Sequence, residues 1–441
     1  MALSGIQIYK LLPQTNCKEC GFPTCLAFAM KLAAKQVELS ACPYVSEGSK
    51  TQLAESSAPP IRLISLKASG REIKAGNETV MFRHEKTFFN MPGLFVRIKS
   101  SLGMDAIKEL VTKADSFKAN YVGMDLIVDG FAVEGDNDAA FVDAIKTIRT
   151  ISKRPLILIA KDATLKSGLE ELQGENPLIC SANNSNWEQM VDIAKKYSTS
   201  LVITGENLDN FAELTEKIKS KGFDDIVLDL GSSQLGTQLV KATQVRRLAV
   251  KKNVRSLGFP LISFITGSNG RDAIAAAQAI GKYSGFIVLD RFAPELFYPL
   301  LVLRQNIYTD PQKPIQVQPG IYEINSPKAD SPVLVTTNFS ITYFSVANEV
   351  EGSGLPVWLL VTDAEGMSVL TAWAAGKFDS ERIAKTVKEF NVADKVSKKR
   401  LVLPGHVAVL SGEVEEELPG WEIRVGPREA VDIPAFLKQA L

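Results

Sequence analysis

Four of the five cysteines of this chain lie within its first tenth. Three share one short stretch, Cys17-Lys-Glu-Cys20-Gly-Phe-Pro-Thr-Cys25, and the fourth, Cys42, returns from beyond a predicted helix. Four thiolates gathered in this way suit a cubane iron–sulfur cluster, whose protein ligands are four cysteines. A structural zinc also accepts four thiolates, but it usually draws them from two separate Cys-x2-Cys knuckles, and the second knuckle is missing. The spacing therefore favours iron–sulfur over zinc.

Length and charge limit the number of domains and the classes of partner that this chain can have. A chain of 441 residues predicts about three domains at about 150 residues each. The 50 basic residues balance 50 acidic ones, so no long-range field favours nucleic acid or a membrane surface as a partner. The first residues lack the pattern of a secretory signal, and no stretch approaches the roughly 18 apolar residues of a membrane span. We expect a cytoplasmic protein, with the fifth cysteine, Cys180, buried at a strand end.

The first domain is predicted to span residues 1–57. A short helix from Gly5 precedes the cysteine loop, and a second helix runs from about Thr24, so that Cys25 lies in its first turn, where the helix dipole favours a thiolate. Leu26 and Met30 recur at helical spacing and are expected in the core. Residues 46–60 are polar, rich in serine and end in two prolines, which is the composition of a linker. The cluster domain is therefore expected to move relative to the rest of the chain.

Between residues 61 and 322, short apolar runs alternate with amphipathic helical segments. Eight such units in about 260 residues are typical of a TIM (β/α)8 barrel. The predicted strands are Val80–Arg83, Tyr121–Leu126, Pro155–Ala160, Leu178–Cys180, Ser200–Thr204, Ile226–Leu230, Leu261–Thr266 and Phe286–Leu289.

Polar side chains follow the predicted barrel strands, where barrels carry their functional residues. They are His84, Glu85, Asp125, Asp129, Lys161, Asp162, Asn183, Asn184, Glu206, Asp229, Thr266, Ser268, Asp290 and Arg291. Such residues indicate either a functional face or the solvated loops that any barrel has, and both interpretations stay open.

A third domain is predicted over residues 324–441, after a proline-rich segment. Its alternating strands and helices indicate a small open, Rossmann-like α/β sheet, which binds ligands beyond the carboxyl ends of its strands. The predicted strands are Val333–Thr337, Val357–Val361, Val407–Leu410 and Trp421–Val425, with helices at Ser340–Val350, Ser368–Ala375, Ser380–Phe390 and Arg428–Ala440. Glycine and hydroxyl clusters at the strand ends, with a small-residue helix around Trp373, favour a large polar-rimmed cofactor with a planar ring. The alternative, that Leu370, Trp373 and Ala374 pack on the sheet, stays open.

Hydrolytic and nucleotide-dependent chemistry finds no support in the sequence. The chain has two histidines, His84 and His406, which fall in different predicted domains and far from any nucleophile-elbow motif. No Walker-type phosphate loop is present.

The opening stretch LLPQTNCKECGFPTCLAFAMKLA, followed by a barrel and an α/β domain, resembles the large (gamma) subunits of the corrinoid iron–sulfur proteins of the acetyl-CoA (Wood–Ljungdahl) pathway. The resemblance extends over essentially the whole chain. It implies that Cys17, Cys20, Cys25 and Cys42 bind a [4Fe-4S] cluster. It further implies that the last domain holds a cobamide together with a smaller barrel subunit, as a heterodimer.

The same resemblance implies a methyl carrier. Cobalt would cycle between Co(I) and methyl-Co(III), accepting a methyl group from methyltetrahydrofolate through a separate methyltransferase and delivering it to acetyl-CoA synthase. The cluster would return an electron to inactive Co(II). Neither His84 nor His406 belongs to the Asp-x-His-x-x-Gly motif with which many corrinoid proteins bind cobalt. We therefore expect a base-off cobamide without a protein histidine ligand, which makes Co(I) easier to reach.

The resemblance places the cobamide contacts in the strand-end loops of the last domain, with Thr371 beneath the cobalt. They are Thr337, Ser340, Val346, Gly354, Leu370, Thr371, Ala372, Trp373 and Ile433. Two alternatives stay open. One is a methyltransferase whose barrel binds a pterin through Asn183, Asn184 and Asp229. The other is an electron-transfer protein whose only cofactor is the iron–sulfur cluster.

Overall fold

The computed structural model describes residues 5–33, 37, 39–46, 48–50, 53, 59–231, 234–267, 270–310 and 315–440. The chain forms two compact units. The first comprises Met1–Phe117 with Ile127–Tyr308, and the second comprises Lys118–Leu126 with Thr309–Leu441. Within the described ranges, no helix is both long and apolar enough to cross a membrane.

The cysteine-rich segment folds around two short helices, Gly5–Leu11 and Cys25–Ala33. The prediction that Cys25 lies in the first turn of the second helix is confirmed. The expectation that Leu26 and Met30 are core residues is wrong, because their exposed fractions are 44% and 56%. The core of this segment is built instead from Ile8, Leu12, Cys25, Phe28, Ala29, Cys42, Val45 and Leu53. Most of the predicted linker, residues 47, 51, 52 and 54–58, lies outside the described part of the chain.

Twelve strands precede residue 290 in the described ranges. They are β1 Ile64–Ala68, β2 Arg71–Ala75, β3 Gly93–Lys99, β4 Lys118–Tyr121, β5 Met124–Ile127, β6 Gly130–Glu134, β7 Leu156–Ile159, β8 Leu178–Ala182, β9 Ser200–Thr204, β10 Ile226–Asp229, β11 Leu261–Ile265 and β12 Ser284–Leu289. Eight of them, β3 and β6 to β12, close a parallel barrel. The antiparallel hairpin β1–β2 packs Ile64, Leu66 and Ile73 against the side chains that fill the barrel.

Helices lie between the barrel strands and after the last one. Their bounds are Met104–Ser116, Asp138–Ile151, Asp162–Glu170, Trp187–Tyr197, Leu208–Ser220, Leu235–Lys252, Arg271–Gly281 and Pro294–Ile307. Apolar side chains from successive strands, such as Phe95, Val202 and Ile262, fill the barrel. Cys180 lies among them, and burial raises the pKa of its thiol well above the ordinary value. The predicted TIM barrel and the burial of Cys180 are confirmed.

Six of the eight predicted barrel strands are confirmed, from β7 to β12. The prediction of a strand at Val80–Arg83 is wrong, and the segment Tyr121–Leu126 belongs to the β4–β5 hairpin rather than to the barrel. The true first two strands are β3 and β6. Each begins with a glycine, which normally weakens a strand and indicates a turn. In both, that glycine lies against the ring of Phe95, where a Cβ atom would come within 2.7 Å of a ring carbon.

The second unit contains a five-stranded sheet. Its strands are β13 Gly320–Ile324, β14 Val333–Thr337, β15 Val357–Thr362, β16 Arg400–Leu403 and β17 Glu422–Val425. The order is β13-β15-β14-β16-β17, with β13 antiparallel to β15 and the other neighbours parallel. Its helices are Ser340–Ser353, Val369–Ala374, Ser380–Glu389, Val392–Lys395, Ser411–Glu417 and Ile433–Ala440. The predicted open α/β domain is confirmed.

Two details of this unit differ from expectation. The predicted strand Val407–Leu410 is wrong, because that segment lies in a 3-10 helix, Gly405–Leu410, in which Val407 and Leu410 supply core contacts. The actual strand, β16, ends just before Pro404. The carboxy-terminal segment of the unit begins at Thr309, ahead of the boundary predicted near residue 322, which would cut β13.

The β4–β5 hairpin belongs to the second unit, although it precedes most of the barrel in sequence. Its turn places Val122 at φ 48° and Gly123 at φ 80°. A β-branched residue rarely adopts this conformation. Val122 is only 3% exposed, and the Gln318 amide donates a hydrogen bond of 3.4 Å to its carbonyl oxygen. Core contacts thus hold the hairpin tip in its unfavourable geometry.

Asp129 is predicted at a functional strand end, but it immediately precedes β6 and so lies at the opposite end of the barrel. Its carboxylate is buried, accepts a 2.8 Å hydrogen bond from the Leu94 amide and a 2.9 Å bond from Arg71, and pairs with Arg304. Because two guanidinium groups face one carboxylate, Asp129 balances charge that the barrel has buried.

Replacing Asp129 with alanine should lower the free energy of unfolding by about 3–5 kcal/mol, because Arg304 would remain buried without its partner. Urea denaturation monitored by circular dichroism measures the change. As a control, Glu109→Gln removes an exposed pair with Lys113 and should cost at most about 0.5 kcal/mol. Equal effects of the two substitutions would show that the Asp129 network is not structural.

Candidate functional site

The loop that carries the cysteines is held by hydrogen bonds to the start of the second helix. The Cys25 amide donates to the Asn16 side-chain oxygen at 2.8 Å, and the Asn16 amide points at the Cys25 sulfur at 3.4 Å. A turn closed by the Gly21 amide on the Lys18 carbonyl, at 2.9 Å, lies between Cys17 and Cys25. The backbone thus fixes the loop while leaving the thiols available as ligands.

The four amino-terminal thiols lie near one another. Burial raises the pKa of Cys42, and Cys20, Cys25 and Cys17 raise it further, because a thiolate at Cys42 would face like charges. Cys25 and Cys42 are buried, Cys20 is half-buried and Cys17 is exposed, and all are free thiols.

Among the described residues, no three His, Cys, Asp or Glu side chains form a ligand set for one metal ion. The ligands of a [4Fe-4S] cubane bind different iron atoms and do not converge on one ion. The donor set, four thiols from one loop and one returning segment, fits such a cluster.

In the second unit, the strand order creates a point where successive connections diverge. The chain leaves β14 toward β15 on one side and later returns to place β16 on the other side of β14. In open parallel sheets, ligands bind in the crevice beyond the carboxyl ends of the two strands at such a switch point.

A cavity of 310 Å³ occupies this position, and we call it the switch-point groove. Its walls include the helices Ser340–Ser353 and Ile433–Ala440. The lining residues are Leu334, Val335, Thr336, Ile341, Thr342, Ser345, Val346, Ser368, Val369, Leu370, Val402, Leu403, Pro404, His406, Gly426, Pro427, Arg428, Glu429, Ala430, Ile433 and Phe436. The lining is mainly apolar with a few polar groups, which is typical of sites for organic cofactors.

One polar group in the groove has no partner. Thr336 is 1% exposed, and its hydroxyl makes no hydrogen bond within the described structure. A buried hydroxyl without a partner costs about 1–3 kcal/mol, so its retention favours a role toward a ligand. Its neighbour Asn338, by contrast, is fully engaged. The Asn338 side-chain oxygen accepts from the amides of Ala364 at 2.9 Å and Gly366 at 3.0 Å, which fixes the loop after β15.

Large apolar side chains stand exposed around the carboxyl edge of the same sheet, and we call them the apolar rim. They come from the segments after β14, β15, β16 and β17. The members and their exposed fractions are Ile341 66%, Leu370 46%, Trp373 42%, Val409 68% and Val431 68%. The alternative that Leu370 and Trp373 pack on the sheet is therefore wrong. Exposed apolar side chains gathered at one edge of a sheet favour a binding surface there.

The structure brings some of the expected cobamide contacts together. Val346, Leu370 and Ile433 line the groove. Thr371 is exposed on the short helix Val369–Ala374, which also carries Trp373. Its hydroxyl shares a 3.0 Å hydrogen bond with Ser368.

Other expected contacts lie elsewhere. Thr337 is buried at the end of β14, and Ser340 opens the next helix. Ala372 packs its side chain into the core, and Gly354 ends the helix Ser340–Ser353 at the opposite edge of the sheet. Neither Ala372 nor Gly354 lines the groove.

The sequence reasoning missed three groove residues, His406, Arg428 and Glu429. His406 and Glu429 lie with Nε2 and Oε1 3.7 Å apart. The sequence does carry a signal for these groove residues, because each follows a Pro-Gly or Gly-Pro dipeptide, Pro404-Gly405 or Gly426-Pro427. From the sequence alone, these dipeptides indicate only turns at strand ends.

The polar residues predicted at barrel strand ends come together only in part, and Asp229 and Thr266 line one cavity. Arg97 pairs with Asp290 at 3.2 Å and with Glu134 at 3.7 Å. Asp229 lines a separate cavity of 220 Å³, which neither Asn183 nor Asn184 lines, and burial raises the pKa of its carboxyl. Asn183 closes its own loop by accepting from the Ser185 amide.

Other polar residues that the sequence predicts at barrel strand ends are placed as follows. Asp162 begins a helix, Asp125 pairs with Lys118 in the hairpin, Glu85 pairs with Lys251, Arg291 pairs with Asp272, and His84 stacks on Phe82. Ser268 lies outside the described residues.

Comparison with known proteins gives matches along the whole chain. Residues 64–437 match the family model described as CO dehydrogenase/acetyl-CoA synthase delta subunit, and residues 12–44 match one described as a putative Fe-S cluster. The corrinoid/iron-sulfur protein large subunit of Moorella thermoacetica is 41% identical over 445 residues, covering 100% of both chains. The chain belongs to the family of corrinoid/iron-sulfur protein large subunits.

Archaeal proteins are also similar to this chain along its whole length. The acetyl-CoA decarbonylase/synthase complex subunit gamma of Archaeoglobus fulgidus is 33% identical, and the match covers 99% of this chain and 98% of that protein. Subunit gamma 1 of Methanosarcina thermophila is also 33% identical, with the same coverage. Among solved structures, Xanthomonas albilineans dihydropteroate synthase matches 57% of this chain and all of its own, with a TM-score of 0.39 and 12% identity.

Thr336→Val should stabilise the ligand-free protein by about 0.5–1 kcal/mol, because it replaces an unpaired buried hydroxyl with a methyl group of the same shape. Thr386→Val is the matched control. The Thr386 hydroxyl donates to the Arg382 carbonyl at 2.8 Å, so its loss should cost about 1 kcal/mol. Urea unfolding of both variants measures the difference, and equal signs would show that the Thr336 hydroxyl is satisfied.

Proposed function

We propose that this protein is a methyl carrier of the acetyl-CoA pathway that binds a corrinoid in its second unit and a [4Fe-4S] cluster at its amino terminus. It would accept a methyl group from methyltetrahydrofolate through a methyltransferase and pass it to acetyl-CoA synthase. One observation carries the proposal. A single chain, 41% identical over its full length to a corrinoid/iron-sulfur protein large subunit, combines a four-cysteine loop with an apolar-rimmed groove at a sheet switch point.

When bound, the corrinoid would supply a cobalt centre able to take up and release a methyl group, and the cluster would supply single electrons that return oxidised cobalt to its reactive state. The chain's own residues would hold these groups. Cys17, Cys20, Cys25 and Cys42 are the cluster ligands in this proposal. Cys17 is exposed and Cys42 is buried, so electrons would reach the cluster from the side of Cys17.

The apolar rim would hold the flat corrin ring. Leu370 and Trp373 offer exposed apolar surface on one short helix, and Thr371 lies between them in sequence. Thr371 is the residue we place beneath the cobalt. Its hydroxyl shares a hydrogen bond with Ser368, and Thr371 would offer cobalt no strong donor of the histidine kind.

The groove would hold the lower base of the cofactor away from cobalt. Its mainly apolar walls and its volume of 310 Å³ suit an aromatic base. Binding of the base in the groove would favour the base-off form of the cofactor. The absence of a strong axial donor favours reduced cobalt, since axial ligands set metal potentials.

The apolar rim also supports the proposal of a partner. A corrin ring seated on Leu370 and Trp373 would leave its other face uncovered by these side chains. A smaller barrel subunit, forming a heterodimer with this chain, would cover that face. The methyltransferase and acetyl-CoA synthase would then be its successive transient partners.

The first test is a cobalt, iron and sulfide measurement on anaerobically purified protein with its partner subunit. We expect one cobalt, four iron and four acid-labile sulfide atoms per heterodimer, at the stoichiometry of one corrinoid and one cubane. Corrinoid absorption bands should be present, and the Co(II) electron paramagnetic resonance signal should lack nitrogen splitting from an axial base.

Other results of the metal and spectroscopic measurements would redirect the proposal. Protein with iron and sulfide but no corrinoid bands after reconstitution would be an electron-transfer protein. Nitrogen splitting would contradict the base-off assignment. Tight binding of methyltetrahydrofolate to the isolated chain would support the barrel as a pterin site.

Cys42→Ala should abolish the cluster, because it removes the buried ligand that returns from beyond the second helix. Methylation of chemically pre-reduced protein should continue, while recovery from one-electron oxidation should be lost. Cys180→Ala is the control, since Cys180 lies in the barrel core and should not affect the iron content. If Cys42→Ala protein also failed to methylate when pre-reduced, the reactivating role of the cluster would be wrong.

A further inference from the structure

Asn338 follows β14 directly, at the carboxyl edge of the sheet in the second unit, and is 1% exposed. Every polar atom of this residue is hydrogen-bonded. Its backbone amide donates to the Thr362 carbonyl at 3.0 Å, and its backbone carbonyl accepts from the Val317 amide at 2.9 Å. Its side-chain oxygen accepts from two amides of the loop after β15. A buried, fully satisfied amide fixes its surroundings, because any rearrangement would leave a polar group unpaired.

The side-chain nitrogen of Asn338 reaches two further groups. It donates to the Asp363 carboxylate at 3.1 Å and to the Gln316 side-chain oxygen at 3.3 Å. Gln316 comes from the segment ahead of β13 and forms an isolated antiparallel bridge with Phe339. Asn338 therefore joins three parts of the second unit: the segment ahead of β13, the end of β14 and the loop after β15.

The loop after β15 has a backbone geometry that needs such support. Glu365 has φ 54° and Gly366 has φ 74°, so two successive residues lie in the left-handed region, which is unfavourable for Glu365. Asn338 accepts hydrogen bonds from the amides on both sides of Glu365, those of Ala364 and Gly366. A Cβ atom on Gly366 would lie 2.8 Å from the Gln316 side chain, so only glycine lets that side chain close over the loop.

This loop leads directly into the short helix Val369–Ala374, which carries three residues expected to contact the corrinoid. The Met367 amide donates to the Ala364 carbonyl at 3.0 Å, so the loop is hydrogen-bonded up to the helix start. Of the six helix residues, Val369 and Ala372 are buried. A helix with so little buried surface depends on the preceding loop for its position.

We infer that Asn338 is a positioning residue for the corrinoid. Through the loop after β15, it sets the place of Leu370, Thr371 and Trp373 before any cofactor binds. This inference rests on the proposed corrinoid function and deepens it. Asn338 is buried and is not among the described residues that line the groove, so it acts through the loop and not by contact with the cofactor. A site ordered in advance binds more tightly, because fewer side chains have to be ordered on binding.

The test compares Asn338→Ala with Asn325→Ala in corrinoid-free heterodimer. Asn325 is a matched asparagine of the same unit, whose side-chain nitrogen donates to the carbonyls of Val350, Glu351 and Leu355 at 2.9, 3.3 and 3.0 Å. It follows β13, which runs antiparallel to β15, so it lies at the opposite edge of the sheet from the apolar rim. Both substitutions should lower the unfolding midpoint, but only Asn338→Ala removes support from the loop after β15.

Two measurements distinguish the variants. Hydrogen–deuterium exchange of the corrinoid-free protein should become faster in residues 363–374 for Asn338→Ala, and in residues 350–355 for Asn325→Ala. Calorimetry with cob(II)alamin as the probe should show binding about tenfold weaker for Asn338→Ala, which corresponds to the ordering of one or two side chains on binding. The affinity of Asn325→Ala should change by less than about twofold.

Gln316→Ala keeps the inference testable if Asn338→Ala does not fold. It removes one acceptor of Asn338 and the side chain that lies against Gly366, but it leaves the two amide hydrogen bonds to the loop in place. Binding of cob(II)alamin should weaken by about threefold, with faster exchange in residues 363–374.

The outcomes separate this inference from the function on which it rests. Unchanged affinity in folded Asn338→Ala, or in Gln316→Ala where the first variant does not fold, would overturn the positioning role and leave the corrinoid function standing. Equal weakening by Asn325→Ala would also overturn it, because the loss would then come from general destabilisation. Wild-type heterodimer that does not bind cob(II)alamin would overturn both. Weaker binding confined to the Asn338 and Gln316 variants, with faster exchange in residues 363–374, supports the assignment.

Discussion

The candidate cofactor site depends on one topological constraint in the second unit. Because β15 and β16 lie on opposite sides of β14, the connections beyond the strand ends separate, and no helix can close the space between them. The groove is the result of this order, and its walls are simply the helices that flank the divergence. Side chains that would otherwise be covered, such as Leu370 and Trp373, consequently stand exposed at its edge.

The amino-terminal segment builds its candidate cofactor site differently, from side chains of its own small core. Two short helices and a loop bury few large side chains, with Phe28 as the largest that is fully enclosed. A core of this size stabilises a small module poorly, and modules of this size usually rely on metals or disulfides. In a cluster-binding segment the thiols Cys25 and Cys42 are themselves core residues, so ligand binding and folding use the same atoms.

The sequence predicted the barrel, the open α/β sheet and the gathering of four amino-terminal cysteines because these features rest on local signals. Spacing alone placed Cys25 in the first helical turn, and apolar runs located six barrel strands. It missed β3 and β6 because their initial glycines pack against Phe95, a contact between distant segments. It missed His406 and Arg428 for a similar reason. His406 looked like a solvated loop residue and Arg428 like the first residue of a helix, and only the pairing of β16 with β17 brings the two loops together.

The hairpin β4–β5 carries a consequence for synthesis of the chain. Val122 packs in a core that includes Val317, which the ribosome adds almost two hundred residues later. At typical elongation rates this interval lasts about 10 to 40 s. Throughout it, the hairpin has no partner strands from its own unit, while the barrel strands around it in sequence are already available to pair. The second unit is thus the last part of the protein to complete its core, and it cannot be produced intact by cutting the gene at a single point.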